Sequence, residues 1–214
     1  MFKRVIKNSV LLATLAIAGC GSILGPVEQR RTIDYEITDP SFLSAPELSK
    51  IDSGGCTTSS RNDIIYVSTM HANAPYNSTK MFYSNAKYEL EKYSYSQWAA
   101  LPTDMLSQTM VKKIVLSCDF KNVVTNNAIA NANYSLVTQL VVLRQDVNPD
   151  GKTSVVMMII YAQLIDLDKN IVKSSRVFAL HENGDAGPVG FTNSINSMMT
   201  NYDNQLVTWL RTVK

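Results

Sequence analysis

The sequence is poor in the residues that build reactive centres. It has only two histidines, His71 and His181, in separate segments. Neither has the clustered Cys, His or carboxylate company that a zinc site requires. Gly54-Gly55 falls well short of a phosphate-cradling loop such as G-x-x-x-x-G-K-[ST]. The serines around Cys56 lack a partnered base, so no activated nucleophile stands there. Asp166 and Asp168 flank a short turn, where acidic residues are ordinary. No catalytic residue, metal or cofactor is therefore expected, and the protein reads as a non-enzyme. A basic stripe is also missing, which removes nucleic acid from the expected partners. Beyond residue 18 no apolar run approaches the roughly 20 residues that span a bilayer.

What is present begins at the amino terminus. Lys3, Arg4 and Lys7 precede an apolar stretch from Val10 to Ala18 broken only by Thr14. A basic stub, a short apolar run and small residues make a secretory signal. The stretch ends "IAGC", with a branched residue, two small ones and Cys20. That order resembles the bacterial lipobox, in which the cysteine is acylated and becomes the first mature residue. Residues 1–19 are then a lipoprotein signal peptide, and Cys20 is the lipidation site. Several acyl chains, palmitate among them, hold far more firmly than one, at roughly 0.8 kcal/mol per buried methylene. Gly21 follows in place of the Asp that retains enteric lipoproteins in the inner membrane. The resemblance thus implies the periplasmic face of the outer membrane.

Loss of the signal leaves 17 basic residues against 18 acidic, close to neutrality. An apolar fraction of 45% is ample for a core. Residues 20–31 contain Gly25-Pro26, show no periodicity and read as a lipidated tether, leaving 32–214 as one domain. Cys56 and Cys118 face an oxidising compartment, so they form either a disulfide or two separate thiols.

The pattern predicts strands over 32–37, 63–70, 80–84 and 86–94, then a helix over 97–117 with Pro102 in its first turn. A short strand at 120–125 precedes two long β-rich runs, 134–147 and 153–167, joined by the turn "NPDG". A third, 171–182, completes an antiparallel meander. Phe191, Ile195, Met198, Met199, Tyr202, Leu206, Trp209, Leu210 and Val213 then fall at helical steps. The expected fold is α+β, a layered α/β arrangement of an antiparallel-rich mixed sheet with two main amphipathic helices.

Aromatics crowd residues 82–98. Tyr83, Tyr88, Tyr93, Tyr95 and Trp98 are either core packing or a partner surface, since Tyr and Trp are enriched where proteins meet. The stretch "YVSTMHANAPYNSTKMFYSNAKYELEKYSYSQWAALPTDMLSQTM" resembles the bacterial ABC-type transport auxiliary lipoprotein family. The family's early Y-x-L strand is matched by Tyr35-Glu36-Ile37, and its Y…Y hairpin by Met81 to Tyr88. Its Trp before a helix-opening Pro is matched by Trp98 and Pro102, and its terminal helix by 191–213. Ser84 stands where that family commonly has Arg, and Ala99-Ala100-Leu101 where it has an acidic residue.

The resemblance implies a fold similar to the N-terminal domain of the Tol system's periplasmic protein. It also implies an auxiliary docking component of an MCE-type ABC intermembrane lipid transporter, of the paraquat-inducible kind. The implied partner is an MCE-domain protein; such proteins form rings, which a cyclic homo-oligomer would match. A periplasmic lipid carrier is the alternative, with phospholipid enclosed near Met157, Met158, Met198 and Met199. A structural envelope lipoprotein is the third reading.

Overall fold

A strand of 14 residues, β7 (Tyr134–Val147), forms the axis of the sheet. In the computed structural model, residues 30–44, 46, 49, 56, 58–126 and 131–213 are described. The expected signal peptide, Cys20, most of the expected tether and the Ser/Gly stretch before Cys56 lie outside them. Thr32–Lys214 forms one compact unit. One edge of β7 pairs antiparallel with β8 (Thr153–Asp166), and β8 pairs antiparallel with β9 (Ile171–Asp185). Three short strands follow one another along the other edge, all parallel to β7. They are β2 (Ile64–Val67), β3 (His71–Ala72) and β4 (Lys80–Ser84), and they meet β7 at Tyr134–Leu136, Gln139–Leu140 and Gln145–Asp146 respectively. At one end β6 (Asn122–Val124) adds to β2 in parallel. At the other, β5 (Glu91–Trp98) runs antiparallel to β4, and β1 (Ile33–Tyr35) runs parallel to β5. The fold is α+β, as the sequence pattern predicts.

The meander follows from strand period and turn chemistry. Along β8, Ser154, Val156, Met158, Ile160, Ala162 and Leu164 are buried, while the residues between them are half-buried on the other face. The first hairpin turns at Gly151, whose φ of 65° suits glycine, and the Asp150 carboxylate accepts from the Lys152 and Thr153 amides. Those bonds hold the Asp150 carboxyl below its usual range. The second turn closes on Asp166, which accepts from the Lys169 amide.

Helix α1 (Pro102–Ser117) starts with Pro in its first turn and stops where Cys118 enters the left-handed region. Helix α2 (Pro188–Thr212) covers the inner sheet face. Phe178 of β9 meets Tyr202 and Trp209 edge-on, with ring centroids 5.3 and 5.9 Å apart. Met105, Leu106, Met110 and Ile114 carry the same core onto α1.

Two boundaries differ from the sequence expectation. The strand expected over 86–94 lies instead at Glu91–Trp98, because Tyr88 adopts φ 71° and the chain turns before it can pair. The alternation of Tyr88 and Leu90 with charged neighbours therefore belongs to a loop. The helix expected from 97 begins at Pro102, since Gln97 and Trp98 pair with β1 and the Ala99 amide donates to the Tyr35 carbonyl.

Candidate functional site

The aromatic stretch divides into three environments. Trp98 is only 1% exposed and packs edge-on against Phe191 of α2, with centroids 5.2 Å apart. It is a core residue, so its place in a candidate partner surface is corrected. Burial of its large ring is worth more to the fold than any contact it could offer outside. Tyr93 is half-buried and stacks on Tyr83 at 4.5 Å. Its hydroxyl donates to Gln145 Oε1 at 2.6 Å. Burial raises the Tyr93 pKa to about 12, partly offset by the Gly187 backbone amide nearby. Tyr83 donates to Glu91 at 2.8 Å, which also raises its pKa. Only Tyr88, at 93%, and Tyr95, at 49%, are broadly exposed.

Gln145, fully buried, is the hub that the sequence pattern does not disclose. Its amide donates to Ser154 Oγ and the Asp185 carbonyl, each at 2.8 Å, and its carbonyl accepts from Tyr93 and the Gly187 amide. It ties β7, β8, β5 and the entrance of α2 together. A polar residue at an inward strand position signals such a network only once its partners are known.

A second knot lies at the C-terminal ends of both helices. Cys56 and Cys118 are joined by a disulfide in the structure, with Cα atoms 5.5 Å apart. Beside it Arg61 donates to the Leu210 and Arg211 carbonyls, capping α2. Arg211 in turn pairs with Asp119 at 2.8 Å. The disulfide, Arg61 and Arg211 bind the 56–61 loop to both helix ends.

Asp203, on α2, is fully buried, and no donor reaches either of its oxygens. Burial and the nearby Asp39 carboxylate push its pKa far up, only partly opposed by Lys113. Asp39 is itself occupied, accepting from Ser41 and Thr200.

An open groove of about 500 Å³ runs between the end of β2 and the outer flank of α1, lined by Val67, Thr69, Ser107, Gln108 and Val111 among others. It does not lie between the meander and α2. There Met158, Met198 and Met199 are packed into the core, while Met157 points to the opposite sheet face. His71 and His181 are both exposed and far apart in the fold. Among the described residues no cluster of three metal-ligating side chains occurs, and no helix is long and apolar enough to cross a membrane.

This geometry defines an α+β domain whose distinctive groups are structural knots and exposed surfaces. The chain belongs to the ABC-type transport auxiliary lipoprotein component family, whose model matches residues 47–206. Membership makes it a transport auxiliary lipoprotein with a membrane-anchored place in the cell envelope. Among solved structures it is similar to protein XCC0632 from Xanthomonas campestris. That pair shares 16% identity over 85% of this chain and 93% of the other, with a TM-score of 0.64. A second, an uncharacterized protein, shares 12% identity over 71% and 95% of the two chains, with a TM-score of 0.55. At these identities the likeness shows the fold alone. The PelC dodecamer from Paraburkholderia phytofirmans, with 14% identity over 67% and 88% and a TM-score of 0.35, is too distant to lend its assembly to this chain. No curated protein matches the sequence.

Proposed function

We propose that the protein is the auxiliary, docking component of an MCE-type ABC intermembrane lipid transport system. It is held by acylated Cys20 at the periplasmic face of the outer membrane. The observation that carries this reading is the family match over 47–206 in a chain that opens with a lipobox ending at Cys20. An MCE-domain protein, extending from an inner-membrane transporter, is its partner. No step of chemistry is assigned to this chain; it positions a complex.

The carrier alternative needs room for an acyl chain between meander and helix. Side chains of Phe178, Tyr202, Met158 and Met199 occupy that layer at 0 to 1% exposure, which favours docking over carriage.

Two measurements test the reading. The Cys20→Ala variant is expected to leave the outer-membrane fraction and appear soluble or as uncleaved precursor. Fractionation with outer membrane after a salt wash would refute acyl anchorage. The lipidated wild-type protein, extracted in mild detergent, is expected to co-purify with its MCE-domain partner and to carry no stoichiometric phospholipid in native mass spectrometry. A one-to-one phospholipid adduct without partner would establish the carrier instead.

A further inference from the structure

Residues 36–43 leave the sheet after β1 and lie against both helices as a strap. Two buried apolar residues hold it. The Ile37 amide meets Met105 Sδ of α1, and the Lys112 ammonium, also on α1, sits 4.1 Å from the Phe42 ring centroid. The rest of its grip is polar. Asn196, Thr200 and Asp203 fall at steps of four and three on α2 and so share one helix face. Asn196 accepts from the Thr38 amide and donates to the Glu36 carbonyl. Thr200 donates to Asp39, which opens the short 3-10 turn Pro40–Leu43 and also accepts from the Ser41 amide and hydroxyl. Asp203 is the third rung of this ladder, and nothing donates to it.

Two carboxyls, 0% and 1% exposed, thus lie together between α2 and the strap. Ionised, Asp203 is a buried charge without a hydrogen bond. Protonated, it is a donor, and the Asp39 carboxylate is within hydrogen-bond reach. Asp39 accepts three bonds from Ser41 and Thr200, of the roughly four a carboxylate can take, so one position is left for that proton. Lys113 of α1 is the other charged group facing Asp203, and burial keeps the adjacent Tyr202 neutral. Both ends of the strap are fixed by other means. β1 pairs with β5, and Cys56 is bonded to Cys118.

We propose that residues 36–43 form a strap locked onto α2 by one proton shared between Asp203 and Asp39, and that loss of this proton lets the strap lift while its two ends stay fixed. Below the folded pKa of the pair the ladder is complete. Above it two anions face each other in the interior, and the strap rises. Lifting uncovers Ile37, Phe42 and the helix faces beneath them, an apolar surface that the closed strap hides.

The test is hydrogen exchange on the full chain in mild detergent, from pH 5 to 9, corrected for intrinsic rates, with and without low urea. The Thr38, Ser41 and Phe42 amides are expected to exchange through an opening that urea barely accelerates, whereas the β8 amides exchange by unfolding that urea speeds. Above the folded pKa, protection in the strap is expected to fall by about tenfold per pH unit, the slope of one proton. Asp203→Asn, whose amide donates to Asp39 at every pH, is expected to abolish that slope. Thr200→Val is expected to lower protection about fivefold at all pH values, the loss of one hydrogen bond, and to leave the slope intact. Strap amides that share the urea dependence of β8 overturn the proposal, because the segment then opens only with the domain. An unchanged slope in Asp203→Asn overturns it as well. Protection at high pH that calcium restores and chelation removes would put a cation between the carboxyls and refute the shared proton.

Discussion

Asp203 is the residue whose chemistry and position disagree most. A carboxyl on a helix face that meets the core has no donor to its oxygens, and Asp39 lies across from it. Its folded pKa is raised, so the native state keeps a proton that the unfolded chain gives up above roughly pH 4. The stability linked to this group is complete below that pH and declines as pH rises toward the folded value. Asp39 and Lys113 are the charged groups that face it, and Lys113 opposes the shift only in part. Asp203→Asn keeps the shape, removes the titration and leaves an amide that can donate to Asp39. It is expected to stabilise the protein at pH 7 by roughly 1–3 kcal/mol, or roughly 3–10 °C in Tm. The difference from wild type should shrink as pH falls to 4. Parallel pH profiles, with the variant less stable throughout, would show that Asp203 holds a partner as an anion. Nothing in the sequence marks Asp203: Asp39 lies far from it along the chain, and only the fold brings the two carboxyls together. The same holds for Gln145, whose partners come from four elements. The acylation proposed at Cys20, by contrast, is read from a local signal, a spacing from a basic stub.

At the scale of elements, local period decided most of the outcome. The runs 134–147 and 153–166 and the terminal helix stand where alternation and helical stepping put them, because one face of each meets a single continuous core. Residues 86–94 misled because Tyr88 and Leu90 alternate with charges as a strand would. Pairing with β4 resumes only at Glu91, after a left-handed turn no periodicity encodes. Helix entry was hidden for a similar reason: Gln97 and Trp98 satisfy their backbone by pairing with β1, a segment distant in sequence. Trp98 then fastens β5 to α2 through Phe191, and Gly190 beside it lets the helix meet the end of β9. A Cβ at Gly190 would run into the Asp185 carbonyl. Trp98→Ala is accordingly expected to cost roughly 3–5 kcal/mol, read by urea unfolding. A double-mutant cycle with Phe191→Ala should show coupling of about 0.5–1.5 kcal/mol. Additive effects would mean that the two rings touch without holding each other.

The whole molecule leaves one long strand half used. Among the described residues β9 pairs with β8 alone, so an edge of 15 residues keeps its hydrogen-bonding groups unpaired. Such edges invite a second chain unless charge or cover protects them. On the sheet face away from the helices, Val177 is 59% exposed and its cross-strand neighbour Tyr161 is half-buried; Val172 nearby is 53% exposed. An open edge that carries exposed valines as well as charges such as Arg176, on a domain tethered to a membrane surface, favours contact with another copy held in the same plane. Repeated by rotation, one heterologous contact closes into a ring when its rotation divides a full turn. A ring would suit the ring-shaped MCE partner proposed above, because several identical weak contacts reinforce one another. The mature protein, Cys20 acylated and in detergent, is expected to form a cyclic oligomer by multi-angle light scattering at micromolar concentration. Val177→Lys places a charge on that face without touching the core. It is expected to shift the assembly toward monomer while the melting temperature of the subunit moves by no more than a few degrees. A wild-type protein that is strictly monomeric, alone and with the proposed MCE partner, would defeat the assembly and leave β9 guarded by its twist and by charges such as Arg176.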